Sequence, residues 1–448
     1  MSTPEPGTNP GQQPGLEPGE AEELEQERAR VSGAPAADQV PDTAGRLATA
    51  LQQTMTSSWT VSVGAVLLAV LVGSIMIVFT NDAVRDASSY FFARPGDTFV
   101  AVGQAVGGAY AALFRGSVVN LQATDFVTAI RPLTETLSYA TPLIAAGLGV
   151  ALAFRAGLFN IGGQGQMLVA AAAAGWVGFG VSGVPFPLHL LLALVAGIAA
   201  GALWAGIAGF LKARTGAHEV IVTIMLNYVA FYLISYFLAT PGLLQAPGSS
   251  NPKTPPTPES AQLPTLLGDR FNLTWGFVLA LLAVVGMWWL LNRSATGFGF
   301  RAVGENPRAA RVAGIDTSRA TVNSMLVAGG LVGLAGASQV LGAVTTGFSS
   351  DVDAGIGFDA ITVALLGGSS PWGVLAAGIL FGAFKAGGST MQAAEGVPSD
   401  IVLVVQSLIV LFIAAPPLVR AIFRLPDPNR RRAPRKARAA KDRKEAAA

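Results

Sequence analysis

Residues 154–175 read FRAGLFNIGGQGQMLVAAAAAG, and this stretch limits what the rest of the chain can be. It arrives as an apolar helix end, breaks over residues 160–166, and continues as almost pure alanine. A core helix in a soluble protein has no need of three glycines and two glutamines there. In a membrane the pattern has a physical meaning. Gly and Ala remove side-chain bulk, so two backbones can approach closely in lipid. Glycine also lets the backbone leave helical geometry, and such breaks are tolerated where they are buried in protein or line a cavity. The amides of Asn160, Gln164 and Gln166 then offer donors and acceptors to a polar solute. The expectation is one wall of a transport path.

Composition agrees. Of the 448 residues, 51% are hydrophobic and only 12% charged, against about 25% charged in a soluble globular chain. With no cysteine, neither a disulfide framework nor a thiolate metal site can form, and two histidines are too few for a His-based site. No metal and no cofactor are expected. Residues 1–57 are rich in Pro, Gly and Glu and lack the short apolar run of a signal peptide. They read as a disordered acidic tail, followed by a membrane domain at 58–424 and a basic tail at 425–448.

A bilayer crossing needs about 20 mostly apolar residues. Candidates fall at 59–80, 133–154, 161–181, 188–211, 219–238, 275–291, 320–341, 358–368, 372–390 and 400–422, with 358–368 short enough to be re-entrant. The fold class is all-α, polytopic, with about ten transmembrane helices. Residues 81–131 are mixed in character and are placed outside, along the interface. The Pro-rich segment 240–273 is too polar to cross. Basic residues collect after Lys212, through the 293–319 loop and past Arg420. Ten crossings put all three on one side, which the positive-inside rule makes the cytoplasm, and both termini join them there.

There is no GxxxxGK[ST], no GxSxG and no HExxH, so no catalytic residue is assigned. Polar groups inside spans are more informative. Glu219, Thr223 and Asn227 recur at i, i+4, i+8 and share one helix stripe. They face a pathway, or Glu219 caps its helix and Asn227 bonds a neighbouring helix. Asp359 caps a short helix or touches solute, and Lys385 snorkels to an interface. The path candidates are therefore Asn160, Gln164, Gln166, Thr223, Asn227 and Asp359. Glycine-interrupted apolar segments at 155–175 and 354–378, one in each half, point to a binding site near the midplane.

The loop GFGFRAVGENPRAARVAGI at 297–315 has a helix start at Asn306-Pro307, small residues at Ala309, Ala310 and Ala313, and a stop at Gly314. It reads as a short docking helix, or as a positive-inside anchor. The docking candidates are Gly304, Glu305, Asn306, Pro307, Ala309, Ala310, Gly314 and Ile315.

HEVIVTIMLNY, GLFNIGGQGQ, RAVGENPRAARVAGI and GFDAITVALLGGSSPWGVLAAGILFG together resemble the inner-membrane permeases of bacterial ABC importers for nucleosides and simple sugars, over about residues 130–420. The likeness is strongest to the longer permease of basic-membrane-protein-linked nucleoside systems. The resemblance implies an ABC importer permease fold in the bacterial plasma membrane. It implies a cytoplasmic ABC ATPase that carries the hydrolysis, a second permease subunit (non-identical in many systems), an extracellular solute-binding lipoprotein and a small-molecule solute. It implies no nucleic-acid partner. The 306–315 helix would be the element seated in the ATPase. Two alternatives stay open: a permease for a simple sugar in the same class, and an ion-coupled secondary transporter, which would want an ionisable residue deep in a span.

Overall fold

A computed structural model of the chain describes residues 58–424. The two expected tails, 1–57 and 425–448, lie outside the described residues. Those described contain fifteen α-helices and no strand beyond one isolated bridge between Thr265 and Thr274. In order they are α1 (Ser58–Thr80), α2 (Asp82–Ser89), α3 (Pro95–Ser117), α4 (Phe126–Arg155), α5 (Gly163–Gly180), α6 (Leu188–Thr215), α7 (Glu219–Ala239), α8 (Gly276–Arg293), α9 (Ala295–Glu305), α10 (Pro307–Val312), α11 (Thr317–Ser338), α12 (Ile356–Leu366), α13 (Pro371–Glu395), α14 (Ser399–Ala414) and α15 (Pro416–Ile422).

Six of these are long and apolar enough to cross a membrane: α4, α6, α7, α8, α11 with its continuation to Ala343, and α13. A seventh counts if α1 and α2, bent by 67° at Asn81, form one span. The other expected crossings fall on helices that are short or diluted by polar residues. α5 has 18 residues and carries both glutamines, α12 has 11, and α14 has 16.

α4 sits at the centre. Every residue from 140 to 153 is buried, because α8, α11, α12 and α13 cover it on all sides. A helix apolar all round has no solvent or lipid face to present. The most extensive helix contact is α6 on α11. Gly201 and Gly329 make it possible, since a Cβ on either would strike the other's carbonyl oxygen. Without a hydrophobic drive in lipid, such close backbone packing holds helices together. Gly201→Leu should therefore destabilise the fold by about 3 kcal/mol. A fall in the apparent unfolding temperature of the purified protein would show it, and Gly216→Leu, which meets nothing at its Cβ but has φ +71°, gives the comparison for backbone strain alone.

α3 falls within the segment expected along the interface. This 23-residue helix packs across α13 and α1 and buries Ala105, Ala109 and Ala112, with the Tyr110 hydroxyl donating to the Val70 carbonyl at 2.9 Å. The 240–273 segment is also more than a connector. α11 ends in a π-turn, Gln339–Ala343, whose freed carbonyls need partners. The Thr257 hydroxyl donates to Val340 O at 3.2 Å, and the Leu263 N–H donates to Leu341 O at 2.7 Å. The Thr257 and Thr254 N–H groups continue this pairing to Thr345 O and Phe348 O. The Pro-rich segment thus satisfies the backbone where α11 stops.

Candidate functional site

α4 ends at Arg155, and the chain leaves helical geometry until α5 begins at Gly163. Gly157 turns it with φ +73°, where a side chain would be strained. The backbone groups freed here need partners. Some come from the segment itself. Asn160 Oδ1 accepts from the Gly162 N–H at 2.9 Å, and the Asn160 and Gln166 amides pair at 3.0 and 3.3 Å. The rest come from α7. Asn227 Oδ1 accepts from the Gly165 N–H at 2.9 Å while its Nδ2 donates to Ile161 O at 2.9 Å. Thr223 Oγ1 accepts from the Ile161 N–H at 3.3 Å, and Glu219 accepts from the Phe159 N–H at 3.4 Å and pairs with Lys212.

Glu219, Thr223 and Asn227 do share a stripe, but it grips the break. Asn160, Gln166, Thr223 and Asn227 are at most 5% exposed, with their polar groups bonded within the break or across to it. Gln164 alone among the three amides of the break is half-buried.

The second interruption lies between the π-turn and α12. The structure brings it against the first: a Cβ on Gly163 would meet the Gly357 carbonyl at 2.7 Å. The starts of α5 and α12 therefore converge. Asp359, in the first turn of α12, pairs with Lys385 of α13 at 2.9 Å. The connection also holds a group the sequence reading missed. Asp353 is 4% exposed, and one carboxyl oxygen lacks a partner. Ala354, next along, is held at φ +46°. Burial pushes the Asp353 carboxyl up to about 6, opposed by hydrogen bonds from Gln164 and Gly355. The folded protein thus keeps this proton to about pH 6, while the unfolded chain loses it near its ordinary value of 3.8. Stability should be full below about pH 4 and fall by about 3 kcal/mol as pH rises through 6. Asp353→Asn should abolish this fall, read as unfolding temperature against pH between 4.5 and 8 in the purified protein.

At this same end of α4 lies the docking candidate. Asn306 Oδ1 accepts from the Arg308 and Ala309 N–H groups at 3.1 and 3.0 Å, Pro307 opens α10, and Gly314 ends the turn with φ +83°. Glu305, Asn306, Pro307, Ala309 and Gly314 are exposed, and Ile315 is half-buried. Ala310 departs from the expected smooth outer face: it is turned inward at 4% exposure, while Val312 stands 90% exposed. A groove of about 380 Å³ runs between α9 and α10, lined by Phe298, Glu305, Ala309, Ala313 and Ile315. Gly304 faces inward too. A Cβ there would strike the Arg155 carbonyl and the Gly157 N–H. Arg155 Nε in turn donates to Ser369 O at 2.9 Å in the α12–α13 turn. The exposed element, the first break and the end of α12 therefore meet at one point.

At the opposite end a polar cavity of about 530 Å³ opens beneath the 262–274 segment, lined by Glu135, Tyr139, Asp269, Asn272, Gln339 and Lys385 among others. Asn272 Nδ2 donates to Glu135 Oε1 at 2.6 Å. Sequence reasoning passed over it because residues up to 131 and the 240–273 segment read as exterior. The one available signal was the i, i+4 spacing of Glu135 with Tyr139 at the start of α4.

Comparison with known proteins completes the picture. The family described as the permease component of branched-chain amino acid transport systems matches residues 133–414. The chain belongs to this permease family. The guanosine ABC transporter permease protein NupP of Bacillus subtilis (strain 168) is 44% identical over 293 residues, covering 64% of this chain and 82% of NupP. The glucose ABC transporter permease protein TsgB13 of Haloferax volcanii is 37% identical over 290 residues, 63% of this chain and 75% of TsgB13. The nucleoside ABC transporter permease protein NupB of Lactococcus lactis subsp. cremoris is 35% identical over 297 residues, 64% of this chain and 81% of NupB. No solved structure matches. The permease is a transport subunit and a multi-pass integral protein of the bacterial plasma membrane. Its family region runs from early α4 to the end of α14, so both interruptions, the docking element and the polar cavity lie within it, while α1–α3 precede it.

Proposed function

We propose that this permease is the membrane subunit of an ATP-binding-cassette importer that passes a nucleoside or related small polar solute. Separate cytoplasmic ATPase subunits carry the hydrolysis, a second and non-identical permease completes the path, and an extracellular lipoprotein delivers the solute. The observation that carries this reading is the exposed α9–α10 element seated through Gly304 on the end of the first break. A secondary transporter has no use for such a contact. Ten crossings follow if α1, α5, α12 and α14 join the six apolar helices and α3 stays on the outer side. Both termini and α9–α10 are then cytoplasmic, and the polar cavity is an outer vestibule. Asn160, Gln166, Thr223 and Asn227 shape the path by holding the break, and Gln164 is the member left to face it.

The test is reconstitution with and without the ATPase. Uptake of guanosine should require ATP and the ATPase. Uptake driven by a proton gradient alone would overturn the reading. Ala309 lines the groove and carries no contact that a larger residue would break, so Ala309→Trp should leave the permease in the membrane but abolish co-purification of the ATPase. A simple sugar is the second reading, since TsgB13 is a glucose permease at 37% identity. Competition of guanosine uptake by glucose separates the two.

A further inference from the structure

We propose that Tyr139 and Glu135 of α4 form a nucleobase-binding site in the polar cavity beneath the 262–274 segment. Tyr139 is the platform on which the ring lies, and the Glu135–Asn272 pair reads the ring's edge. The inference rests on the nucleoside reading above and names the face of the solute that this chain selects.

Glu135 and Tyr139 are one turn apart on α4 and share a face of it. That face is hollow. The cavity of about 530 Å³ falls within the range of about 300–1,000 Å³ usual for small-molecule sites. Two further cavities, of about 360 and 250 Å³, share lining residues with it. Tyr139 lines all three, and Glu135 lines the first two. Tyr139 is 46% exposed although it stands about 20 Å along α4 from Phe126. An aromatic ring thus borders every compartment of one branched hollow, with a carboxylate a single turn away.

The carboxylate is only half engaged. Its polar contacts among the described residues all go to Oε1, from Asn272 Nδ2 at 2.6 Å and Arg131 Nε at 3.8 Å. Glu135 Oε2 and Asn272 Oδ1 are then two acceptors on one bonded pair. Of the charged groups lining the main cavity, Glu135 and Asp269 are carboxylates, while Lys385 is paired with Asp359. Like-charge repulsion disfavours an anionic solute such as a nucleotide. A neutral ring with neighbouring N–H donors suits the site. Guanine carries a ring N–H beside an exocyclic amino group, so both acceptors are met. Adenine alternates a donor with an acceptor along the matching edge, which leaves one acceptor unpaired. A sugar offers no π-face to Tyr139.

The Glu135–Asn272 bond also ties α4 to the 262–274 segment, as does the Ser138 hydroxyl, which donates to Asn272 O at 3.2 Å. The experiment therefore has to separate reading from stapling. It uses the complete complex in proteoliposomes, with ATP-driven uptake of guanosine, adenosine and glucose as readouts. Wild type should prefer guanosine to adenosine. Glu135→Gln exchanges an acceptor for a donor and should lower that preference, the ratio of the two kcat/KM values, by about 5- to 150-fold. Both values come from one preparation, so any loss of folded complex cancels. Tyr139→Leu should lower kcat/KM for both nucleosides by about 5- to 150-fold, and Tyr139→Phe, which keeps the ring, should recover most of it. Gel filtration should show the Tyr139→Leu complex intact. A glutamate that only staples would reduce both nucleosides alike in Glu135→Gln and leave the ratio unmoved, which would overturn the proposal. Equal wild-type uptake of guanosine and adenosine would overturn it too, as would wild-type uptake, or a dissociated complex, in Tyr139→Leu. A wild-type complex that takes up glucose and neither nucleoside would instead refute the nucleoside reading itself.

Discussion

Gly304→Val should abolish ATP-driven uptake while leaving the permease inserted and folded. The added methyl groups have nowhere to go, because the Arg155 carbonyl and the Gly157 N–H occupy that space and both are backbone. Overpacking against backbone costs about 1–3 kcal/mol, enough to push α9 off the end of α4 by a few tenths of an ångström or more. Taken as a shift between seated and unseated states, this is about 5- to 150-fold in the coupled population. α9 adds Phe300 to the core around α4, but most of that core comes from α8, α11, α12 and α13, so thermal stability should fall less than uptake. Normal ATPase co-purification with lost uptake is the expected signature, distinct from Ala309→Trp, where co-purification itself disappears. Unchanged uptake would show that force does not pass through this contact.

Asn227→Leu should have the largest effect on stability. The asparagine amide satisfies the Gly165 N–H and the Ile161 carbonyl, each at 2.9 Å, and it is 5% exposed. A leucine of similar size leaves both backbone groups unpaired in a buried site. At about 1–3 kcal/mol for each orphaned group, the loss is about 2–6 kcal/mol, a large share of the stability of any domain. Asn227→Asp keeps the acceptor for Gly165 and should cost less than the leucine. Expression level and unfolding temperature of the two variants measure the difference. Equal stabilities would mean that α7 does not hold the break.

These two predictions also show what the sequence makes legible. The interruption at 156–162 can be read because Asn, Gly and Gln cluster inside an apolar run, and α10 because Asn306-Pro307 and Gly314 bracket it. The partners of the break cannot be read the same way. Gly165 and Asn227 stand 62 positions apart, and an amide spaced for a pathway looks identical to one spaced for a clamp. Of the ten expected crossings, six fall on helices that by themselves meet the length and hydropathy a span needs, while α5, α12 and α14 are short or polar at one end. Asp353 was invisible for a different reason. The segment around it reads as an ordinary polar turn, and only the convergence of α5 and α12 buries it. The 240–273 segment was judged by its prolines, which say nothing about the carbonyls its other N–H groups would reach.

The burial of α4 on every side has a mechanical meaning. A rod gripped around its whole circumference cannot slide or rotate by itself without opening several interfaces at once. Alternation between outward and inward states would then carry residues 140–153 together with the helices packed around them, with relative displacement favoured in elements that keep one side free, α7, α9 and α10 foremost. The glycine turn just beyond Arg155 then serves as the bearing between the two.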